Sequence, residues 1–312
     1  MAHEIELKLA LGALAPQALR NHSLLAGTSP RRLHLCNSYF DTPGGELQAA
    51  GMALRLRHDG KSYRQTLKTR GHSLGGLSRR GEWEWEVPGP ALDLDGLAAL
   101  PALADVSRQA LSRLTPVFTT DFQREAWLLK SPRAHIEVAL DLGEIRAGQR
   151  RVPIRELELE LKSGDPEVLL DLAQSLAEQV SMRPSDTSKA TRGNVLRGQP
   201  WQLPPLDAPL QRALVALDAL ADTGNPIWQE QARQALMVLA DSTDDAVSQP
   251  ARALMNALGF SRPDAQPGAQ EHAQEHVQTH ARSHVLDNDG WNMHCSQHAL
   301  RLIRCLTPSP AP

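Results

Sequence analysis

Charges return at every second position along the first half of this chain, with aliphatic or aromatic residues between them. Few folds accept that pattern repeatedly. Glu4, Glu6 and Lys8 alternate with Ile5, Leu7 and Leu9. Arg55 and Arg57 alternate with Leu54 and Leu56, and Thr66 and Lys68 flank Leu67. Glu82, Glu84 and Glu86 alternate with Trp83, Trp85 and Val87. The run His135 to Asp141 places its acids on one side, and Arg155-Glu156-Leu157-Glu158-Leu159-Glu160-Leu161 is the most regular case. A period of two belongs to β-strands, whose side chains point alternately to opposite faces. Turn sequences such as Pro43-Gly44-Gly45 and Gly75-Gly76 separate many of the runs. An antiparallel sheet with one wet face explains any single strand of this kind. It does not explain the set, because acids in same-side triplets repel one another in an isolated strand. Acidic strands and basic strands of matching parity make sense if both face one interior. A sheet closed on itself supplies that interior and removes its own edges.

Burying so much charge is unfavourable unless each charge meets a partner. Divalent cations would neutralise the acids, and a polyanion would neutralise the arginines and lysines. Hard cations such as Mg²⁺ are commonly shared between carboxylates and phosphates. The guanidinium fork matches phosphate geometry, and lysine serves as a point charge. Phosphoryl transfer mainly needs positioning and charge neutralisation, so metal-assisted phosphate chemistry is the reading these strands favour. Other classes recede. There is no GxxxxGK[ST] loop, hence no P-loop nucleotidase. Aromatic residues make up only 4% of the chain, too few for base stacking to be a main activity, and no nucleic-acid partner is expected. No run of about 18 apolar residues is present, so no membrane span is expected. The alternating charges of residues 1–10 do not form a secretory signal. Cys36, Cys295 and Cys305 show no metal-type spacing, which suits a reduced, cytoplasmic protein.

The chain changes character near residue 200. Residues 1–204 carry a net charge of +2, whereas residues 205–312 carry −5 and contain no lysine. Gln199-Pro200-Trp201-Gln202-Leu203-Pro204-Pro205 reads as a linker. Two domains are expected, at residues 1–200 and 201–312. In the first, broken helices are expected over Pro16 to Leu25 and Leu94 to Leu114, and a clearer one after Asp165-Pro166. In the second, three helices are expected, marked by Leu206 to Leu217, by Trp228 to Leu239 after the Asn225-Pro226 cap, and by Ser248 to Leu258. A His-rich tail over residues 270–298 follows, with His272, His276, His280 and His284 four apart. Such pairs can bind Zn²⁺ or Ni²⁺ on a helix, but a solvated low-complexity tract is the favoured reading.

Glu4-x-Glu6-x-Lys8 resembles the signature of the CYTH domain, the triphosphate tunnel metalloenzymes. Later segments extend the resemblance in order: Ser38-Tyr39-Phe40-Asp41-Thr42-Pro43, Gly51 to Arg57, Gln65-Thr66-Leu67-Lys68, Arg79-Arg80-Gly81-Glu82, Thr120 to Arg124, Glu137 to Asp141, Glu156 to Glu160, and Ser188-Lys189-Ala190-Thr191-Arg192-Gly193. It is closest to the bacterial inorganic triphosphatases that carry a C-terminal helical CHAD domain. The resemblance implies an α+β fold: an eight-stranded antiparallel β-tunnel with flanking helices, followed here by a smaller all-α region. That region is shorter and more acidic than a complete CHAD domain should be, so it resembles a truncated or degenerate one. The resemblance also implies Mg²⁺ or Mn²⁺ as cofactor and a small-molecule triphosphate as substrate, with polyphosphate as a further partner. Carried over by motif, Glu4, Glu6, Glu137, Asp141, Glu156 and Glu158 would hold metal. Lys8, Arg55, Arg57, Lys68, Arg80, Arg124 and Lys189 would clamp phosphate, and Glu4, Glu6 and Lys8 stand at the catalytic centre. A structural role is equally open for Glu84, Glu86 and Glu160, and a solvated helix face for Lys189 and Arg192. Tyr39 and the tryptophans are expected to pack the outer sheet. Hydrolysis of inorganic triphosphate is the leading function. A class IV adenylate cyclase, a thiamine-triphosphatase-like enzyme and a non-catalytic polyphosphate-binding module are the alternatives. Residues 205–312 are expected to be dispensable for hydrolysis.

Overall fold

The computed structural model describes residues 2–260 and 290–307. Its strands are β1 (Ala2–Leu11), β2 (Arg31–Asp41), β3 (Ala53–His58), β4 (Tyr63–Lys68), β5 (His72–Leu74), β6 (Leu77–Val87), β7 (Thr115–Lys130), β8 (Ala134–Ala147), β9 (Arg150–Gly164) and β10 (Met182–Pro184). Eight of them close a barrel in the order β1-β9-β8-β7-β2-β3-β4-β6, with β6 pairing back onto β1, and every pairing is antiparallel. The closed tunnel expected from the alternation is therefore present. The short β5 and β10 extend the ladders of β6 and β1. No helix among the described residues is long and apolar enough to cross a membrane.

Register carries the charged face of each strand to the same side. Lys8 lies opposite Glu158 and Glu6 opposite Glu160, Glu4 opposite Arg80, Arg124 opposite Asp141, and Lys68 opposite Glu82. The intervening aliphatic residues point outward into two cores. Leu7, Leu9, Leu140, Leu157 and Leu159 join a large cluster. Leu54 and Leu67 join a smaller one with Trp83 and Trp85. The helices that cover the smaller core are α2 (Glu46–Ala49), α3 (Leu94–Ala98) and α4 (Arg108–Leu111); α1 (Ala15–Arg20) precedes them in the chain.

The large core is covered by α5 (Glu167–Leu176) and by the C-terminal helices α7 (Pro209–Thr223), α8 (Ile227–Ala240), α9 (Asp245–Ala257) and α10 (Met293–Leu306). The three expected C-terminal helices form, the first starting later than Leu206. The fourth, α10, was not anticipated, although Cys295, Ala299, Leu302 and Ile303 recur at helical spacing on its buried side. No packing break follows residue 200. A single cluster runs from Leu9 of β1 to Leu214 of α7 and Ile303 of α10. Polar contacts cross the same boundary: Arg183 pairs with Asp218 at 2.6 Å, both almost fully buried, and Ser185 donates to the same carboxylate. His272, His276, His280 and His284 lie outside the described residues.

A further helix, α6 (Lys189–Leu196), packs against the inner faces of β7, β8 and β9. Ser188 caps it by accepting from the Thr191 amide. Gly193 allows the approach, since a Cβ there would meet the Phe118 ring at 2.3 Å. Around α6 the barrel interior is apolar: Leu35, Tyr39, Phe118, Phe122, Ile145 and Ile154 pack together with Ala190 and Leu196. Tyr39 therefore faces inward, stacked on Phe118 with ring centroids 4.5 Å apart. The expectation that it packs the outer sheet is corrected, because its parity follows Leu35 and Asn37 rather than the outward His34, Cys36 and Ser38.

Candidate active site

The rest of the barrel interior is a cavity of about 520 Å³ lined by seven glutamates, Asp59 and ten lysine or arginine side chains. The positive excess suits a polyanion. A second cavity of about 610 Å³ opens on the other side and shares Glu6, Lys8, Lys68 and Arg80 with the first. The passage is thus a tunnel with two mouths, and these four side chains stand between them.

β1 supplies the most concentrated part of the wall. Glu4 accepts from Lys68 through both oxygens at 2.8 Å and from Arg80 Nε at 2.8 Å. The other arm of Arg80 reaches Glu6 at 2.7 Å. Burial alone would push the Glu4 carboxyl upward. The Lys68 ammonium and the Arg80 guanidinium outweigh it and hold Glu4 well below the usual carboxylate range. Glu82, beside Lys68, is instead pushed up by burial, with Glu4 adding to the shift. Glu160 is pushed up by burial and by Glu4 and Glu137, against the opposing pull of Lys162. Carboxylates are crowded on this side beyond what the neighbouring cations neutralise.

On the far side, Lys189 gathers three carboxylates: Asp141 and Glu156 at 2.8 Å and Glu158 at 2.9 Å. Arg124 forks onto both oxygens of Asp141 at 2.7 Å and reaches Glu158 at 2.5 Å. Burial opposes these charges, yet the carboxylates raise Lys189 well above its ordinary value, and the cations hold Glu158 well below its own. Lys189 is 7% exposed, so its helix face is not solvated. The same correction applies to Arg192, which bridges Glu156 to Asp222 of α7. Asp141 and Glu156, expected on the metal-binding wall, do not line the cavity. Their oxygens are turned to Arg124, Lys189 and Arg192, because the strand register places them behind that cationic layer.

The remaining expected residues, Glu4, Glu6, Lys8, Arg55, Arg57, Lys68, Arg80, Arg124, Glu137, Glu158 and Lys189, all line the cavity. Sequence reasoning passed over Glu82, whose signal was its place two residues from Arg80 on the same face. It also passed over Asn37, which is 2% exposed, accepts from Arg57 Nε at 2.8 Å and donates to Thr120. A lone amide between apolar residues carries no such signal.

Among the described residues, Lys8 and Arg57 are tunnel cations with no carboxylate within 4 Å, and Lys8 is only 6% exposed. Burial, Arg55 and Arg124 lower Arg57 to about 9. The unfavourable charging of Arg57 is fully present below pH 9 and fades as the pH rises through 9. We expect Arg57→Met to leave the melting temperature of the unliganded protein unchanged or raised at pH 7, with the difference shrinking above pH 9. Tripolyphosphate should stabilise the variant less than the wild type. Thermal melts with and without tripolyphosphate at both pH values measure this. A lowered unliganded melting temperature with undiminished stabilisation by ligand would show that Arg57 is structural.

A closed antiparallel tunnel whose inner wall opposes carboxylates to guanidinium and ammonium groups has the geometry and charge to hold a polyanion. The chain belongs to the CYTH domain family, whose model matches residues 2–193. The inorganic triphosphatase of Haemophilus influenzae is 38% identical to it over 200 residues, 63% of this chain and 55% of that protein. The chain thus spans about half the length of the curated relative it matches. Among solved structures, a Hippeastrum putative adenylyl cyclase described as revealing a dominant triphosphatase activity is 21% identical, with a TM-score of 0.49 over 63% of this chain and 98% of its own. A Pyrococcus horikoshii protein is 19% identical, with a TM-score of 0.41 over 63% and 99% of the two chains.

Proposed function

We propose that this protein is a metal-dependent inorganic triphosphatase that hydrolyses tripolyphosphate to pyrophosphate and phosphate inside the tunnel. The observation that carries the reading is the pair Lys8 and Arg57: inward-facing cations without carboxylate partners, in a cavity whose lining is positive overall. A linear polyanion satisfies both. The Haemophilus influenzae relative is named for this activity.

In this reading Lys8 and Arg57 receive phosphate oxygens first. Arg55, Lys68, Arg80, Arg124 and Lys189 then trade carboxylate contacts for phosphate contacts, with the forked arginines fixing orientation. The carboxylates so released, Glu4, Glu6 and Glu158, join the loosely paired Glu137, whose nearest cations lie 3.9–4.0 Å away. They form an all-oxygen donor set that fits Mg²⁺ or Mn²⁺. The upward-shifted Glu82 and Glu160 favour the same assignment, since a cation beside them relieves the crowding. A divalent cation, when bound, polarises phosphoryl oxygens and neutralises charge in the transition state. Asp141 and Glu156 act by holding Arg124, Lys189 and Arg192 in place. An inorganic substrate is preferred because, among the described residues, the only aromatic one lining the first cavity, Tyr39, is buried against Phe118 and offers no free stacking face.

The test is phosphate release from tripolyphosphate, ATP and thiamine triphosphate with Mg²⁺ and with Mn²⁺. Tripolyphosphate should be turned over fastest, and EDTA should abolish turnover. Equal or faster hydrolysis of ATP, or formation of cyclic AMP, would assign the tunnel to a nucleotide instead. Tight binding of tripolyphosphate without turnover would make it a binding module.

A further inference from the structure

The outer wall of the barrel carries a second cluster of donor groups, of a chemistry the tunnel lacks. His34 and Cys36 are two residues apart on β2 and so share its outward face. Register sets Cys36 opposite Asp121 of β7 on one side and opposite His58 of β3 on the other. His34 Nε2 lies 2.6 Å from Asp121 Oδ1 and 3.7 Å from Cys36 Sγ. One nitrogen, one sulfur and one oxygen are therefore within 4.8 Å of one another. No other group of three such donors among the described residues is as close. The His34 and Asp121 side chains are 54% and 44% exposed, so an ion can reach them from solvent.

We propose that His34, Cys36 and Asp121 form a binding site for a divalent transition ion of the zinc class, separate from the hard-cation site in the tunnel. Thiolate and imidazole ligands select zinc, cobalt or nickel, whereas Mg²⁺ takes oxygen ligands alone. Ligand distances of about 2.0–2.3 Å around a tetrahedral zinc place neighbouring donor atoms roughly 3.2–3.8 Å apart. The sulfur–nitrogen separation already meets this, and the nitrogen–oxygen separation opens to it by side-chain rotation. The three ligands sit on hydrogen-bonded neighbouring strands, so the backbone is set in advance. The fourth position falls to water or to His58, the remaining neighbour of Cys36 in register. The site lies directly behind Asn37 and Thr120, which support Arg57 in the tunnel. Occupancy would pin β2 to β7 at that point.

The experiment uses the full chain, freed of metal and then saturated with Mg²⁺ to fill the tunnel. One equivalent of Co²⁺ should produce a thiolate-to-cobalt charge-transfer band. The band should vanish in Cys36→Ser and persist in Cys305→Ser. One equivalent of Zn²⁺ should slow alkylation of Cys36, followed by peptide mass spectrometry, by at least about tenfold. His34→Ala and Asp121→Asn should each weaken zinc binding by at least about tenfold, the scale reached even by groups that only support a ligand. The proposal is overturned if the wild type gives no thiolate band, or if Zn²⁺ leaves Cys36 alkylation unchanged. It also fails if zinc uptake is lost on replacing His272, His276, His280 and His284 but survives in Cys36→Ser. The alkylation measurement needs only the wild-type protein, so a variant that does not fold leaves the test intact.

Discussion

Deleting residues 205–312 is expected to yield no soluble, cooperatively folded barrel. The sequence suggested a dispensable appendage behind a proline-rich linker, but α7 to α10 complete the large core. Leu9, Leu11, Leu157, Leu159 and Met182, each 0% exposed, belong to the cluster those helices close. Returning such side chains to water costs about 1.5–3 kcal/mol apiece, so a handful of them outweighs the stability of an ordinary domain. The polar contacts reinforce this. Arg183, 4% exposed, would lose Asp218, and Arg192 would lose Asp222. Removing one member of a buried ion pair costs up to about 3–5 kcal/mol. The single substitution Asp218→Ala should therefore destabilise the full chain by about that amount in urea unfolding. A truncated protein that stays soluble and melts within a few degrees of the full chain would refute the single-core account.

Glu6→Gln is expected to reduce tripolyphosphate hydrolysis by more than about 100-fold, beyond the loss typical for groups that merely support a metal ligand. The fold should survive, since the amide is isosteric and Arg80 keeps its contact with Glu4. The loss should appear as a raised Mg²⁺ requirement: titrations of phosphate release against Mg²⁺ should shift to higher concentration as well as to a lower ceiling. Glu6 is only 3% exposed and stands where the two cavities meet, so no neighbouring water-exposed carboxylate can replace it there. Wild-type rate and metal dependence in the variant would remove Glu6 from the metal set. Asp141→Asn makes the contrast, because a group behind the wall should affect stability more than Mg²⁺ requirement.

The fold was legible where a periodicity of two ran unbroken. Glu4-Ile5-Glu6-Leu7-Lys8-Leu9 and Glu156 to Leu161 specify which face turns inward, and the barrel follows once both faces are taken seriously. Depth was not legible. Asp141, Glu156 and Glu158 look alike along the chain, but only the stagger between β8, β9 and α6 decides which reaches the cavity and which is sealed behind Lys189. Charge marks the interior along most strands, but β2 and β7 turn an apolar patch inward to seat α6, and Tyr39 belongs to that patch. A solvated face stays open for Arg192 in the sequence because its partner Asp222 lies 30 residues away on another helix. Asn37 gave no pattern at all, a single amide, whereas the helical spacing of α10 was present but too mixed to stand out.

The closure of the barrel has a kinetic meaning. β1 spans Ala2–Leu11, yet it is paired by β6, by β9 beginning at Arg150 and by β10 beginning at Met182. Its ladders are among the most non-local in the molecule, and loops that long must be ordered before their contacts repay them. During synthesis, the strand bearing Glu4, Glu6 and Lys8 leaves the ribosome with its seam unmade and waits for partners roughly 75 and 150 residues downstream. Three like-parity charges are well suited to that interval. They keep an unpaired strand hydrated and discourage edge-to-edge association with other nascent chains.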